Sequence, residues 1–564
     1  MAIQIVDSMT AMRALPSSSY ATDPNVELRG YYAVGDGGYG MFAWNASDTR
    51  ADNLGTVIKP NDVSSGPGRL NRLVSGDLQL AFYGAKLDGV TDDIAAWKAF
   101  FDDVTLTGKV GKIGPGVSVH SENLVVPANR VIVGSGPKNT ILKPTSAVTI
   151  AISQLSASIL ADIGIDGSNT DGAVGHDVGG YPIEVNPYRV NNGISRNIIS
   201  ENFAGEGGCG GRLQRADAWT YYDCLFWGGS KDGFRIGGYL PADEDARGAP
   251  TQCAFYNCFF KQNQRYGVYI LSGGFIDFFG GCMQHNGEEG VYADASYCIP
   301  ENPLERVIFH AVQFEQNQTS HADARPYFNV KLDGYGSPGE ILGFGFRDCR
   351  FVTLDPPTYH KYPKALHIRE VRDFVIDNPE YLNNIAGAIK LEGNGDGGTI
   401  SNWPSASGNM STVVDDQQVY GSNHYVYEAH GTFQPEVTFA TPGTRSISYI
   451  SQIGRWYRRG KTVRESIVIQ TSSFTYSGSS GALRITGSPF TAISVPNLEV
   501  VGPFSAQGIT KSGYTQFNLQ RPGNTNYTQI VAAASGSSLA NVLAVDVPSG
   551  GSLLFIGSIE YEIA

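Results

Sequence analysis

Six short strands in the middle of the chain carry the residues with the types and spacing to do chemistry. They read GFRI (233–236), GVYI (267–270), GVYA (290–293), NVKL (329–332), ALHI (365–368) and AIKL (388–391). Period-two alternation puts Arg235, Tyr269, Tyr292, Lys331, His367 and Lys390 on one face, followed two residues on by Gly237, Leu271, Asp294, Asp333, Arg369 and Glu392. A face so rich in charged and aromatic side chains suits a hydrated ligand. If the strands stack in this register, Asp294 and Asp333 are neighbours at roughly 5 Å of backbone separation. Paired carboxyls are the apparatus of glycoside hydrolysis, set about 5 to 5.5 Å apart in retaining enzymes and about 6.5 to 9.5 Å apart in inverting ones. Two acids this close also separate their proton affinities, one staying protonated while the other ionises.

Around this pair stand the other candidates. Glu288 and Glu289 lie in the turn HNGEEGVYAD at the edge of the face, and Glu289 is placed to reach toward Asp294 as a third catalytic carboxylate. Tyr269, Tyr292 and Trp227 are candidate platforms for sugar rings, which stack on aromatic faces. Lys331, His367 and Arg369 complete the candidate substrate-binding set. The same residues admit a second chemistry, β-elimination. There Arg369 or Lys331 offsets a uronate carboxylate while His367 or Tyr292 removes the C5 proton. A third reading is non-catalytic: an adhesin that grips polysaccharide without cutting it. The plain alternative for each acid is a solvated ladder neutralised by Lys331 and Arg369.

Other constellations are weaker. No Ser/His/Asp set can be assembled from the scattered serines and nine histidines, and His285, His310, His321, His360 and His367 read as turn or surface residues. No CxxC or paired Cys/His spacing occurs, so neither a metal nor a cofactor is expected. The loop YLPADEDARGAP (239–250) is an insertion, because the Cys224 to Cys258 spacing is 34 residues against 24 for the next. Its Asp243, Glu244 and Asp245 lack the ligand spacing of a calcium loop.

What must position the acids is a repeat. Each strand above follows an apolar one: YYDCLFW (221–227), FYNCFFK (255–261), FGGCMQH (279–285), FHAVQFE (309–315), FRDCRFV (346–352) and IDNPEYL (376–382). Repetition at 24 to 37 residues is solenoid spacing, and the strand-like alternation broken by Gly, Asn and Asp predicts a parallel β-helix. The alignment places Cys224, Cys258, Cys282 and Cys349 in one inward column. Seven cysteines spread over 564 residues read as reduced core thiols, with Cys209, Cys253 and Cys298 elsewhere.

Composition narrows the class. Charged residues are only 17%, with 69 Gly, 29 Tyr and 27 Phe, which suits turn-rich sheets. The net charge of −13 excludes a nucleic-acid partner, which needs a basic face. No apolar run is long enough to span a membrane, and no secretory leader is visible at the N-terminus.

Residues 1–75 are mixed, with a Gly-rich patch GYYAVGDGGYGMFAW (30–44) that lacks the GK[ST] of a phosphate loop and reads as a hairpin turn. In FYGAKLDGVTDDIAAWKAFFDDV (82–104), Thr91 or Asp92 caps a helix whose Ile94, Trp97 and Phe101 share a face, a cover for the open end of the solenoid. Residues 401–431, rich in Asn, Ser, Gly and Pro, carry no repeat and read as a linker or stem. Residues 432–564 alternate in short strands with turns such as SGSSG and RPGN, an antiparallel sandwich.

YGAKLDGVTDDIAAWKAF resembles the opening of pectate-lyase-like β-helix domains, and GPGVSVHSENLVVP (114–127) and VGSGPKNTILKP (133–144) look like their first coils. Leu87 stands where that motif usually has Gly. The patch at 30–44 is similar to the module preceding this motif in bacteriophage tailspikes, and IGRWYRRGKTVRESIVI (453–469) with SGALRITGSPFTA (480–492) resembles their C-terminal β-sandwich domains. The resemblance implies a right-handed helix and a homotrimeric tailspike. Its residues would divide as 1–75 N-terminal module, 76–400 depolymerase helix, 401–431 stem and 432–564 trimerisation or carbohydrate-binding domain. It implies a protein held on the virion tail by other tail proteins, acting outside the cell on capsular or O-antigen polysaccharide, by hydrolysis in the first reading and elimination in the second.

Overall fold

The computed structural model describes residues 3–168, 170–180, 189–205, 208–237, 249–298, 304–317, 328–334, 341–352, 364–382, 389–393, 398–401, 414–418, 428–494 and 500–563. The insertion carrying Asp243, Glu244 and Asp245 lies outside them, as do His321 and His360. The chain divides into two compact units. The first is Met1–Phe344 with Cys349–His367 and Leu382–Asn384; the second is the remainder, to Ala564.

In the first unit, residues 4–72 form a five-stranded sheet over the helix Met9–Ala14, with Met9, Met12, Tyr20, Val26, Phe42 and Leu70 in its core. The Gly-rich patch is a hairpin connection, Leu28 standing opposite Gly40. Asp36 accepts from the amides of Tyr31, Tyr32, Ala33 and Gly38 at 2.6 to 3.0 Å, so the donors a phosphate would need are already taken. The helix Ile94–Thr107 starts one residue later than expected, at Asp93, and buries Trp97, Phe100 and Phe101 against the first coil. Trp97 donates to Ser118 Oγ at 2.9 Å, which donates to Asp93 at 2.9 Å. Leu87 has φ of 53°, in the left-handed region, which is why a Gly is usual there.

The solenoid is a parallel β-helix. One sheet runs, strand beside parallel strand, through Leu124–Val126, Ile150–Gln154, Val174–Val178, Cys209–Leu213, Asp232–Ile236, Val268–Ile270, Val291–Asp294, Phe328–Asp333 and Lys364–Arg369. The apolar strands form another, and inside it Tyr221, Phe255, Phe278 and Phe309 stack ring on ring at 4.6 to 4.8 Å, the spacing of the rungs themselves.

That stack corrects the cysteine column. Phe255 pairs with Phe278, not Phe279, and Phe259 pairs with Cys282, so the residue above Cys258 is Gly281. A Cβ at Gly281 would meet the Cys258 carbonyl oxygen at 2.0 Å, leaving no room for a cysteine at that rung. The Phe-Phe doublet offers two alignments of equal appeal, and packing takes the one that keeps Phe278 in the stack. Cys282 therefore sits in the outer row with Phe259 and Gln313, although all seven cysteines are free and buried. Native alkylation is expected at Cys282 first and slowly, burial having pushed its thiol up to about 11, while Cys224, Cys258 and Cys349 react only on unfolding. Mass spectrometry of the labelled peptides checks this, and equal rates at Cys258 and Cys282 would contradict the register.

A second ladder locks the coils together. Asn263, Asn286 and Asn317 are buried at successive corners and Asn329 is buried on the strand that follows Asn317, each Nδ2 of the first three donating to the next Oδ1 at 2.8 to 3.0 Å. Each of the first three also donates to a backbone carbonyl, of Phe226, Phe260 and Met283 respectively. The ladder explains the glycine that opens the first three of the second strands. A Cβ at Gly233, Gly267 or Gly290 would lie 2.5 to 2.7 Å from Nδ2 of Asn263, Asn286 or Asn317.

In the second unit, Gly345–Arg347, Val375–Asp377 and Thr399–Ser401 stack in parallel, and Ile389–Gly393 pairs in parallel with Val414–Gln418. The stretch 401–431 thus contains at least one strand of coil type, where a linker was expected; most of its other residues lie outside those described. From Glu428 onward the pairing is antiparallel, in one hydrogen-bonded path from Glu428–Phe433 to Glu436–Thr441 that includes a long hairpin of Thr444–Arg459 and Thr462–Ser477. Val437, Phe439, Val463, Ile469, Phe474, Leu483, Leu519 and Phe555 are buried between its layers.

Candidate active site

The strands Val291–Asp294 and Phe328–Asp333 pair in the register that the alternation predicts. Tyr269 stands opposite Tyr292, Tyr292 opposite Lys331 and Asp294 opposite Asp333. Both carboxylates sit at the ends of their strands and are largely covered, Asp294 at 9% and Asp333 at 6% exposure. Asp294 also caps the single turn Ala295–Tyr297: its Oδ1 accepts from Ser296 N at 3.0 Å and Ser296 Oγ at 2.6 Å. Its Oδ2 accepts from Tyr269 OH at 3.2 Å. Three donors thus fix one carboxylate, an acceptor-only group when ionised. Lys331 Nζ lies 3.3 Å from Asp333 Oδ2 and 4.7 Å from the Tyr292 ring centre, so half of the expected neutralising ladder is present.

An aromatic cluster forms the wall beside the acids. Tyr266, Tyr269 and Tyr292 lie 4.9 to 5.5 Å apart, with the Arg265 guanidinium 5.0 Å from Tyr266 and 5.3 Å from Tyr269. Arg265 is oriented by Asp232, which accepts from it at 2.6 and 2.7 Å and from Arg235 at 2.6 Å. Burial raises the Tyr292 phenol well above its ordinary range, and the charges of Asp294, Asp333 and Glu289 raise it further. Tyr266 is raised in the same way, by burial and then by Glu288 and Glu289. Glu289 is therefore part of the cluster, as expected from its place before Gly290. Tyr266 and Arg265 escaped notice in the sequence, though Tyr266 precedes Gly267 just as Glu289 precedes Gly290. Ser296 was legible too, as the second residue after an Asp that ends a strand.

One expected residue stands apart. Trp227 belongs to the sheet of apolar strands, 41% exposed and donating to Gln262, and so is not beside the acids. The row alternates outward there as it does on the acid face, which is why alternation alone did not separate them. His367 lies on the strand Lys364–Arg369 of the acid sheet, its ring 4.9 Å from Phe328, and Arg369 ends that strand. Another group resembles a catalytic set but is sealed inside the coil. His176 Nε2 lies 2.8 Å from Gln154 Oε1 and 3.4 Å from Ser195 Oγ, all without solvent exposure above 1%. Burial lowers the His176 imidazole to about 3, so it stays neutral, a core group rather than a base.

Comparison with known proteins follows this division. Residues 5–75 match the family described as the phage tail protein small four-stranded beta-sheet domain, and residues 140–302 match the right handed beta helix region. No curated protein sequence matches the chain. Among solved structures, full-length tailspike protein 2 from Escherichia coli O157:H7 bacteriophage CAB120 aligns over 100% of this chain and 77% of its own, at 12% identity and a TM-score of 0.50. A tailspike gp49 from Acinetobacter baumannii bacteriophage Fri1, described as a capsular polysaccharide depolymerase, aligns over 100% and 98% at 11% identity and 0.42. The A-module of the Azotobacter vinelandii mannuronan C-5 epimerase AlgE4 aligns over 62% and 99% at 15% identity and 0.43. The likeness to the first of these is one of fold. The chain carries a phage tail β-sheet domain ahead of a right-handed parallel β-helix.

Proposed function

We propose that the chain is a tailspike that binds and depolymerises a bacterial capsular or O-antigen polysaccharide by endo-glycosidic hydrolysis. The observation that carries this reading is the pairing of Asp294 with Asp333 on adjacent rungs, beside a wall of three tyrosines. Asp294 and Asp333 act as the acid and the base or nucleophile. Glu289 assists from the turn, and Tyr269, Tyr292 and Lys331 hold the sugar; His367 and Arg369 extend the binding row. The raised Tyr292 phenol weighs against Tyr292 as the base of an elimination, since a tyrosine base must lose its proton before it can take one from C5, and leaves His367 for that role. We keep the division into an N-terminal module at 1–75, a depolymerase helix at 76–400, a stem at 401–431 and a C-terminal domain at 432–564. Assembly is as a homotrimer on the virion tail, through the N-terminal module and other tail proteins, with action outside the cell.

The test is product analysis after incubation with a panel of capsular and O-antigen polysaccharides. Shortened chains with new reducing ends and no new near-ultraviolet absorbance are expected. Absorbance from an unsaturated uronate would assign elimination instead, and binding with no fall in polymer size would leave an adhesin.

A further inference from the structure

The outward row that ends at Lys331 begins with charge. Strand pairing carries it through Asp177, Arg212, Arg235, Tyr269, Tyr292 and Lys331, each opposite the next on the adjacent rung. Near its start three guanidiniums share two carboxylates whose side chains have no solvent exposure. Asp177 accepts from Arg212 Nε at 2.6 Å. Asp232 holds the other two, accepting from Arg235 Nε at 2.6 Å and from Arg265 through Nε at 2.7 Å and Nη2 at 2.6 Å. Arg235 already neutralises Asp232, and Arg265 has no other carboxylate partner among the described residues. Arg265 Nη1 and Arg212 Nη1 have no acceptor among those residues, and the Arg265 side chain is 30% exposed. Tyr269 joins this cluster to the acid pair. Its ring centre lies 5.3 Å from the Arg265 guanidinium, and its hydroxyl donates to Asp294 Oδ2 at 3.2 Å.

These charges sort the substrate. A chain laid along the tyrosines with a linkage at Asp294 and Asp333 has its next ring toward Arg235 and Arg265. The two acids repel an anion on the ring under attack, whereas Arg265, permanently charged, attracts one on the ring beyond Tyr269. Because Asp232 already orders the Arg265 fork, binding there costs little side-chain entropy. We propose that Arg212, Arg235 and Arg265 form a subsite for a carboxylate-bearing sugar residue, so that the substrate is an acidic polysaccharide cut beside its acidic residue. The place of the cut rests on the hydrolysis proposed above; the anion subsite does not.

Titration calorimetry tests this on the full chain carrying Asp294→Asn, which stops cleavage during the measurement. The ligands are the panel of capsular and O-antigen polysaccharides, and each bound polymer is measured again after carbodiimide and borohydride have reduced its carboxyl groups to primary alcohols. The polymer that binds is expected to carry a carboxylate, and reduction to weaken it about 10- to 100-fold, the worth of a hydrogen bond to a charged group. This comparison needs no change at the subsite. Adding Arg265→Gln leaves Arg235 on Asp232 and should weaken the native polymer by a similar factor, with the reduced polymer unaffected; an arginine of purely structural value would lower both alike. The proposal is overturned if the bound polymer lacks a carboxylate, if reduction leaves its affinity unchanged, if Arg265→Gln lowers both polymers alike or neither, or if no polymer binds. Cleavage of a neutral polymer by the unmodified chain sinks the subsite and keeps the hydrolase. Carboxylate-dependent binding of a polymer that the unmodified chain does not cut keeps the subsite and sinks the hydrolase.

Discussion

Asp294→Asn and Asp333→Asn are each expected to lower polymer cleavage by about 10²- to 10⁴-fold, the range lost with a general acid or base. Folding and polysaccharide binding should persist. At position 294 the change is unusually clean, because an asparagine keeps an oxygen for Ser296 N and Ser296 Oγ and still caps the turn that follows. What it removes is the charge and the ability to exchange a proton. At position 333 the loss falls on Lys331, whose side chain is 28% exposed and can turn to solvent. Reducing-end assays with matched binding measurements separate catalysis from affinity. Asp294→Ala adds a control, since it also deletes the cap and should lose about 1 kcal/mol of local stability on top of the same rate defect. Near wild-type cleavage by both asparagine variants would move the chemistry off this face, first to Glu288 and Glu289.

Asn286→Ala should cost about 4 kcal/mol, far more than its single missing amide suggests. The side chain takes part in at least four hydrogen bonds, all in the interior. Its Oδ1 accepts from Asn263 N at 3.2 Å and Asn263 Nδ2 at 3.0 Å, and its Nδ2 donates to Phe260 O at 3.0 Å and Asn317 Oδ1 at 2.8 Å. Truncation strands these partners where water cannot reach them, and a buried donor or acceptor without a partner costs about 1 to 3 kcal/mol. Asn257→Gly serves as the contrast. It removes an exposed ladder bond to Asp223 at 2.8 Å yet suits the left-handed φ of 50°, and should shift unfolding little. Equal shifts for Asn286→Ala and Asn257→Gly would mean that the buried ladder adds nothing beyond the surface one.

Much of this was legible because a solenoid repeats its demands. Alternation in GVYA and NVKL gave the register that sets Asp294 opposite Asp333, since one slipped residue would have turned Val291 and Val330 out of the core. Where the repeat was ambiguous, reading failed. Phe278 and Phe279 compete for one inward position, and only the ring stack decides between them, which displaced Cys282. Trp227 was drawn toward the acids because the sequence records that a residue points outward but not from which sheet. The Asn ladder left a visible trace in Gly233, Gly267 and Gly290, yet the reason for those glycines lies in a side chain of the following coil, at a separation that local pattern does not reach.

The Asn ladder has a direction, and that gives the coil an order of construction. In the two links between coils the donor belongs to the earlier coil and the accepting oxygen to the later one, Asn263 to Asn286 and Asn286 to Asn317, while the last, Asn317 to Asn329, closes within one coil. A chain emerging from the ribosome therefore presents each corner amide before its acceptor exists. A nascent coil stays provisional until its successor docks, so the helix consolidates vectorially, one turn behind synthesis. Defects at a corner then act twice, as arrested, aggregation-prone intermediates with lower yield and as the lost stability expected of Asn286→Ala in the folded chain.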